Sequence, residues 1–147
     1  MGTTFQAEKF IQAQEGAYGS YASALEEIRR GRKEGHWIWY IFPQIAGLGS
    51  SFISREFALQ NIQEAREYLQ NETLRNRLIE ISEALLGNHK DIREIMWTPD
   101  DLKVRSCMTL FREADPTIPV FQEVLDAFFD GKPDYKTLQL LERQKNR

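Results

Sequence analysis

The chain has 147 residues, of which 41% are apolar and 28% charged, and its formal net charge is −3. That length suits one domain of ordinary size, and the composition is that of a packed globule, not of a disordered chain. So mild a negative charge offers no broad attraction for nucleic acid, and no nucleic-acid partner is expected.

Cys107 is the lone cysteine, which excludes an intramolecular disulfide. With only His36 and His89 beside it, no zinc spacing can be written, so no metal and no cofactor are expected. No apolar run reaches membrane-spanning length and no signal-peptide core opens the chain. Gln6 stands where a myristoylation signal after Gly2 requires Ser or Thr. Asn71-Glu72-Thr73 spells a glycosylation sequon, which without a secretory signal reads as coincidence. The cytoplasm is the expected location.

Helical punctuation runs through the sequence. Phe5, Phe10 and Ile11 fit a short opening helix loosely. Tyr18, Tyr21, Leu25 and Ile28 step by helical intervals along one face, with Arg29 and Arg30 in the last turn and Gly31 as a stop. The run from His36 to Phe42 is apolar nearly throughout. With no second strand to pair with, it is predicted as a short buried helix ending before Pro43. Asn61 followed by Glu64 reads as a capping box before Ile62, Ala65 and Leu69. Asn71 is predicted to cap a helix with the face Leu74, Leu78, Ile81 and Leu85, stopping at Gly87.

Thr98-Pro99-Asp100-Asp101 combines a hydroxyl cap, proline at the first helical position and an early carboxylate. The predicted buried side of that helix is Val104, Cys107, Met108 and Phe111. Thr117 is predicted to cap the next helix, whose face is Phe121, Val124, Leu125 and Phe128. Asp130 to Pro133 is a turn, and Asp134 caps a last helix bearing Leu138 and Leu141. The expected fold is all-α: one compact orthogonal-type bundle of about six to eight helices over residues 1–147, with no substantial sheet and a frayed tail at 143–147.

The string from His36 through Gln44, followed by Gly47-Leu48-Gly49-Ser50-Ser51, is unusual. Taken with Ala13-Gln14, Glu64-Ala65, Asp101, Lys103, Ser106 and Met108 to Phe111, it resembles the family catalogued as domain of unknown function 1810, some members of which are labelled "calpastatin". The resemblance covers about residues 5–141. It implies a mainly α-helical fold and no particular activity. Two departures stand out from the family pattern. Asn71-Glu72 replaces a His-Pro pair and alters how a helix begins, while Met96-Trp97 replaces Phe-Gly and sets an indole where it would narrow a nearby pocket.

Several residues carry candidate chemistry. Histidine is the side chain whose charge changes nearest neutral pH, so His36 suits acid–base work or a ligand contact; equally, it suits a helix cap. Trp37 and Trp39 offer rigid faces for stacking on a planar ligand, or simply core. The glycines and Ser50 of the 47–51 loop form either an anion nest or an ordinary turn. Lys103 and Ser106, three apart, project on one side of their helix, while Asp101 and Arg105 can pair on its surface for about 0.3–0.5 kcal/mol. Cys107 reads as a small buried hydrophobe more readily than as a nucleophile.

The leading expectation is a pocket joining His36, Trp37, Trp39, Gln44, Lys33, Ser50, Lys103 and Ser106. Its ligand would be a small planar anion such as a nucleotide or an ADP-ribose-type compound. Were the domain an enzyme, His36 would act as acid–base and Lys103 would stabilise negative charge. The alternative is a non-catalytic module that binds a protein or peptide through the Trp-rich segment.

Overall fold

The computed structural model describes residues 5–145, so the reading at Gly2 and the last two residues of the expected tail lie outside it. Among the described residues ten helices follow one another: α1 (Ala7–Gln14), α2 (Tyr21–Arg30), α3 (Ile38–Ile41), α4 (Phe52–Phe57), α5 (Ile62–Gln70), α6 (Glu72–Gly87), α7 (Ile92–Ile95), α8 (Asp100–Ala114), α9 (Val120–Phe129) and α10 (Tyr135–Lys145). The count exceeds expectation because α3 and α7 are single turns of four residues and α4 has only six. Among the described residues there is no sheet, only an isolated parallel bridge between Ile45 and Leu59. None of the described helices is long and apolar enough to cross a membrane.

Local chemistry sets most helix ends. Ser20, Ser51, Asn61, Asn71 and Asp91 each accept a backbone N–H of their own first turn through the side chain. Gly31 closes α2 in the left-handed region at φ 84°, where a Cβ would be strained. The α5 capping box is displaced by one residue: Asn61 accepts from the Glu64 N–H, and the Glu64 carboxylate reaches back to the Gln60 N–H. Asn71 ends α5 and starts α6 at once.

Three predicted boundaries are corrected. Tyr18 precedes α2 and is 92% exposed, because Ser20 takes the cap and the buried face begins with Ala24 and Ile28. Thr98 does not cap α8. Its peptide bond to Pro99 is cis, and Pro99 itself occupies the cap position without a side-chain bond. Thr117 bonds back to Asp115 instead of capping α9, which begins after Pro119. The tail prediction is also too long, since α10 continues to Lys145.

The helix α8 is the hub. It packs against α9, α5, α10 and α3, while α6 packs against α9, α2, α5 and α1. Enclosure on several sides buries Ser106, Thr109 and Leu110 as well as the predicted Val104, Cys107, Met108 and Phe111. The predicted α6 face, Leu74, Leu78, Ile81 and Leu85, is wholly buried. A chain of tilted and edge-on rings crosses the core from Phe10 to Tyr68, Phe111 and Phe121, with centroids 5.2–5.9 Å apart. Buried Gln14 joins this core with both ends of its amide satisfied. It donates to the Tyr40 carbonyl at 2.8 Å and to the Tyr68 hydroxyl at 3.2 Å, and accepts from Arg77 at 3.1 Å.

Replacing Asn71 by Ala removes the cap of the longest helix. It is expected to destabilise the fold by about 1 kcal/mol in urea unfolding, with the m-value unchanged.

Candidate functional site

The segment that leads into the site is built on one carboxylate. Glu27, buried near the end of α2, accepts the backbone N–H groups of Glu34 (2.7 Å) and Gly35 (2.9 Å) and the Trp37 indole N–H (3.0 Å), all on Oε1. Burial pushes this carboxyl up. The Gly35 and Glu34 N–H groups, the indole and the nearby Lys33 charge together outweigh it, and the group lies below the usual carboxylate range. Gly35 is required sterically, because a Cβ there would come within 2.8 Å of the Trp37 ring.

A second carboxylate binds the lysines. Asp100, at the start of α8, holds Lys33 at 2.9 Å on one oxygen and Lys103 at 3.2 Å on the other. Each ammonium also lies over an indole: Lys33 4.8 Å from the Trp37 ring centre and Lys103 4.6 Å from that of Trp39. Two lysines therefore meet two indoles here, but without the His36 imidazole that the expected pocket also held. The centre of the cluster is occupied by a side chain of the protein.

Beside this cluster lies a cavity of about 560 Å³, a size that accommodates a small organic ligand. One wall comes from α8 and the start of α10, with Pro99, Leu102, Lys103, Ser106, Asp134 and Lys136. The other comes from Trp39, the 44–49 loop and α4, with Gln44, Ser54, Arg55 and Phe57. The loop is fastened by Ala46 N–H donating to the Leu59 carbonyl (2.8 Å) and Leu59 N–H donating to the Gln44 carbonyl (2.9 Å). Across from it, Asp134 caps α10 by accepting the Thr137 N–H at 3.1 Å, and its own N–H donates to Thr109 at 2.8 Å. The Ser106 hydroxyl lies 3.1 Å from both Asp134 Oδ2 and the Leu102 carbonyl, with one proton to share between them.

Of the predicted site residues, Trp39, Gln44, Lys103 and Ser106 line this cavity. The others are corrected. Trp37 is 0% exposed, its indole sealed in the core against Phe42, so it can neither stack on a ligand nor present a surface to a partner. His36 is exposed and outside the lining, because the Glu27 anchor turns Trp37 inward and leaves its neighbour facing solvent. It does not cap α3 either, whose cap position is Trp37. The Lys33 side chain is only 9% exposed and committed to Asp100. Ser50 also lies outside the lining, in a loop that leads into the Ser51 cap of α4.

Further expectations fall with these. Asp101 is 3% exposed and makes no ion pair with Arg105, whose guanidinium donates to the Lys132 carbonyl at 3.0 Å and lies over Phe129. Trp97 is 80% exposed and off the cavity, so it does not narrow it. Arg55 and Lys136 went unpredicted. Neither sits in a motif, and only the packing of α4 and α10 around one opening identifies them. Among the described residues no group of three or more His, Cys, Asp or Glu side chains is arranged to hold a metal ion.

Fold and site together define an all-α protein with a cation-lined, partly aromatic cavity. The chain belongs to the family described as "Protein of unknown function (DUF1810)", whose profile matches residues 4–141. It is similar to the conserved hypothetical protein Rv1873 from Mycobacterium tuberculosis, at 38% identity and a TM-score of 0.90, over 95% of this chain and 99% of that one. No curated protein shows significant similarity to the chain.

Two outcomes follow from the buried groups. Glu27→Gln should lower stability by about 1–3 kcal/mol near neutral pH, as a charged acceptor of three donors is lost. Because the folded carboxyl is held below its ordinary value, this difference is full above the unfolded pKa of about 4.3 and closes as pH falls through the folded value. Urea titrations of both proteins from pH 7 to pH 3 test this. Burial pushes the Cys107 thiol well up, so iodoacetamide should label it at the rate of unfolding, and rapid labelling of the native protein would contradict its sealed position.

Proposed function

We propose that the domain binds a small, planar, anionic organic ligand, of the nucleotide or ADP-ribose type, in the cavity between α8 and the 44–49 loop. The observation that carries this reading is the lining itself. Three cationic side chains, Arg55, Lys103 and Lys136, face one carboxylate, Asp134, in a protein whose net charge is negative. Asp134 caps α10 and accepts from Ser106, and its single charge leaves the lining's cations in excess.

The Gln44 side-chain amide has no protein partner among the described residues and can offer a donor and an acceptor to a heterocycle edge. Trp39 supplies an aromatic wall whose orientation is held by Lys103. The lining offers groups suited to recognition: three cations, the amides of Gln44 and Gln60, the hydroxyls of Ser54 and Ser106, and the rings of Trp39 and Phe57. Trp37 and His36 have no part in it.

A thermal-shift panel of nucleosides, nucleotides and sugar nucleotides tests the reading. A true ligand at a hundredfold over its Kd should stabilise the wild type by about 2.7 kcal/mol, a shift of several degrees. Trp39→Ala and Gln44→Ala should each reduce that shift, and Gln44→Ala should do so while leaving the unliganded melting temperature near wild type. A flat response across the panel, or equal stabilisation of both variants, would sink it.

A further inference from the structure

The cavity's three cations are not equivalent. Lys103 is committed twice over, to the Asp100 carboxylate and to the face of Trp39. Drawing it toward a ligand anion would break an ion pair and set that anion beside a carboxylate. Arg55 and Lys136 make no ion pair and no side-chain hydrogen bond among the described residues, and both reach the opening from exposed positions. They come from different elements, Arg55 from α4 and Lys136 from the first turn of α10.

We infer that Arg55 and Lys136 together form the receiving site for a phosphate group of the cavity's ligand, while Lys103 serves only to position Trp39. The inference rests on the ligand-binding reading of this cavity and divides it into two ends. At one, the guanidinium fork and the ammonium satisfy a doubly charged tetrahedral anion, a pairing these groups suit by geometry and charge. Gly47 and Gly49 line the same opening, and the space their side chains would take is filled by Leu140 and Ser54, which packs the loop tightly beside the anion. At the other end Trp39 and Gln44 meet the organic part. A lone phosphate would leave much of a 560 Å³ cavity empty, so the class indicated is a phosphorylated small molecule, not inorganic phosphate.

Inorganic pyrophosphate is the probe, titrated into the 15N-labelled protein and followed by amide shifts. Saturable shifts are expected at Gly47, Gly49, Arg55 and Lys136. Arg55→Gln and Lys136→Gln should each weaken binding by about ten- to a hundredfold, as loss of one charge-assisted contact implies. Lys103→Ala, which removes a neighbouring cation but no direct contact to the anion, should weaken pyrophosphate binding far less than either glutamine variant does. Both glutamine variants alter exposed side chains, and their melting temperatures confirm that they remain folded. Shifts that fail to saturate, that survive both glutamine variants, or that vanish in Lys103→Ala overturn the assignment. A nucleoside that binds at Trp39 while pyrophosphate does not would sink the anion site and leave the ligand-binding reading intact. Pyrophosphate bound at Arg55 and Lys136, with no organic compound engaging Trp39, would do the reverse.

Discussion

The site depends on a single buried carboxylate. Glu27 receives two backbone N–H groups and an indole N–H on one oxygen, and so converts residues 34–37 from a free connection into a fixed turn. Without that acceptor, three donors at the rim of the core would lack a partner, each at a cost of about 1–3 kcal/mol if buried. With it, Trp37 is driven inward, α3 starts in the core, and Pro43 delivers Gln44 and Ile45 to the cavity wall. A core interaction thereby sets the position of a surface cavity.

Asp100 does comparable work for the electrostatics. By holding Lys33 and Lys103 apart on its two oxygens it ties the 33–37 segment to the first turn of α8, where negative charge also suits the helix dipole. Glu27 also feels the Lys33 charge, so the two ammoniums are matched by two carboxylates beside the cavity. The two indoles beneath the lysines play different parts: Trp37 is core, whereas Trp39 is half core and half lining.

The opposite wall is set by how α10 begins. Asp134 joins the α10 cap, the Ser106 hydroxyl and, through its own N–H, Thr109, so the start of α10 is fixed against the middle of α8. Lys136 follows two residues later and cannot avoid the opening. Polar residues buried on α8 therefore serve as docking points for a neighbouring helix, which is why Ser106 and Thr109 sit inside a helix that is otherwise apolar toward the core.

What the sequence determined by itself is everything that depends on neighbours along the chain. The all-α class, the faces of α6 and α9, the caps at Asn61, Asn71 and Asp134, and the buried helix ending before Pro43 all follow from spacing and capping chemistry, whose range is about one turn. Trp39, Gln44, Lys103 and Ser106 were nameable from the same residues that carry the family resemblance, although no periodicity distinguished Trp39 from Trp37. Tertiary structure alone decided that distinction, because it turns on Glu27 being ten residues away in sequence and 3.0 Å away in space. Tertiary structure alone likewise placed His36 outside the cavity, committed Lys33 to Asp100, and brought Arg55 and Lys136 to one opening although they lie far apart in sequence, on α4 and α10. Such pairings are set by how helix faces pack across the chain, and local sequence carries no record of them.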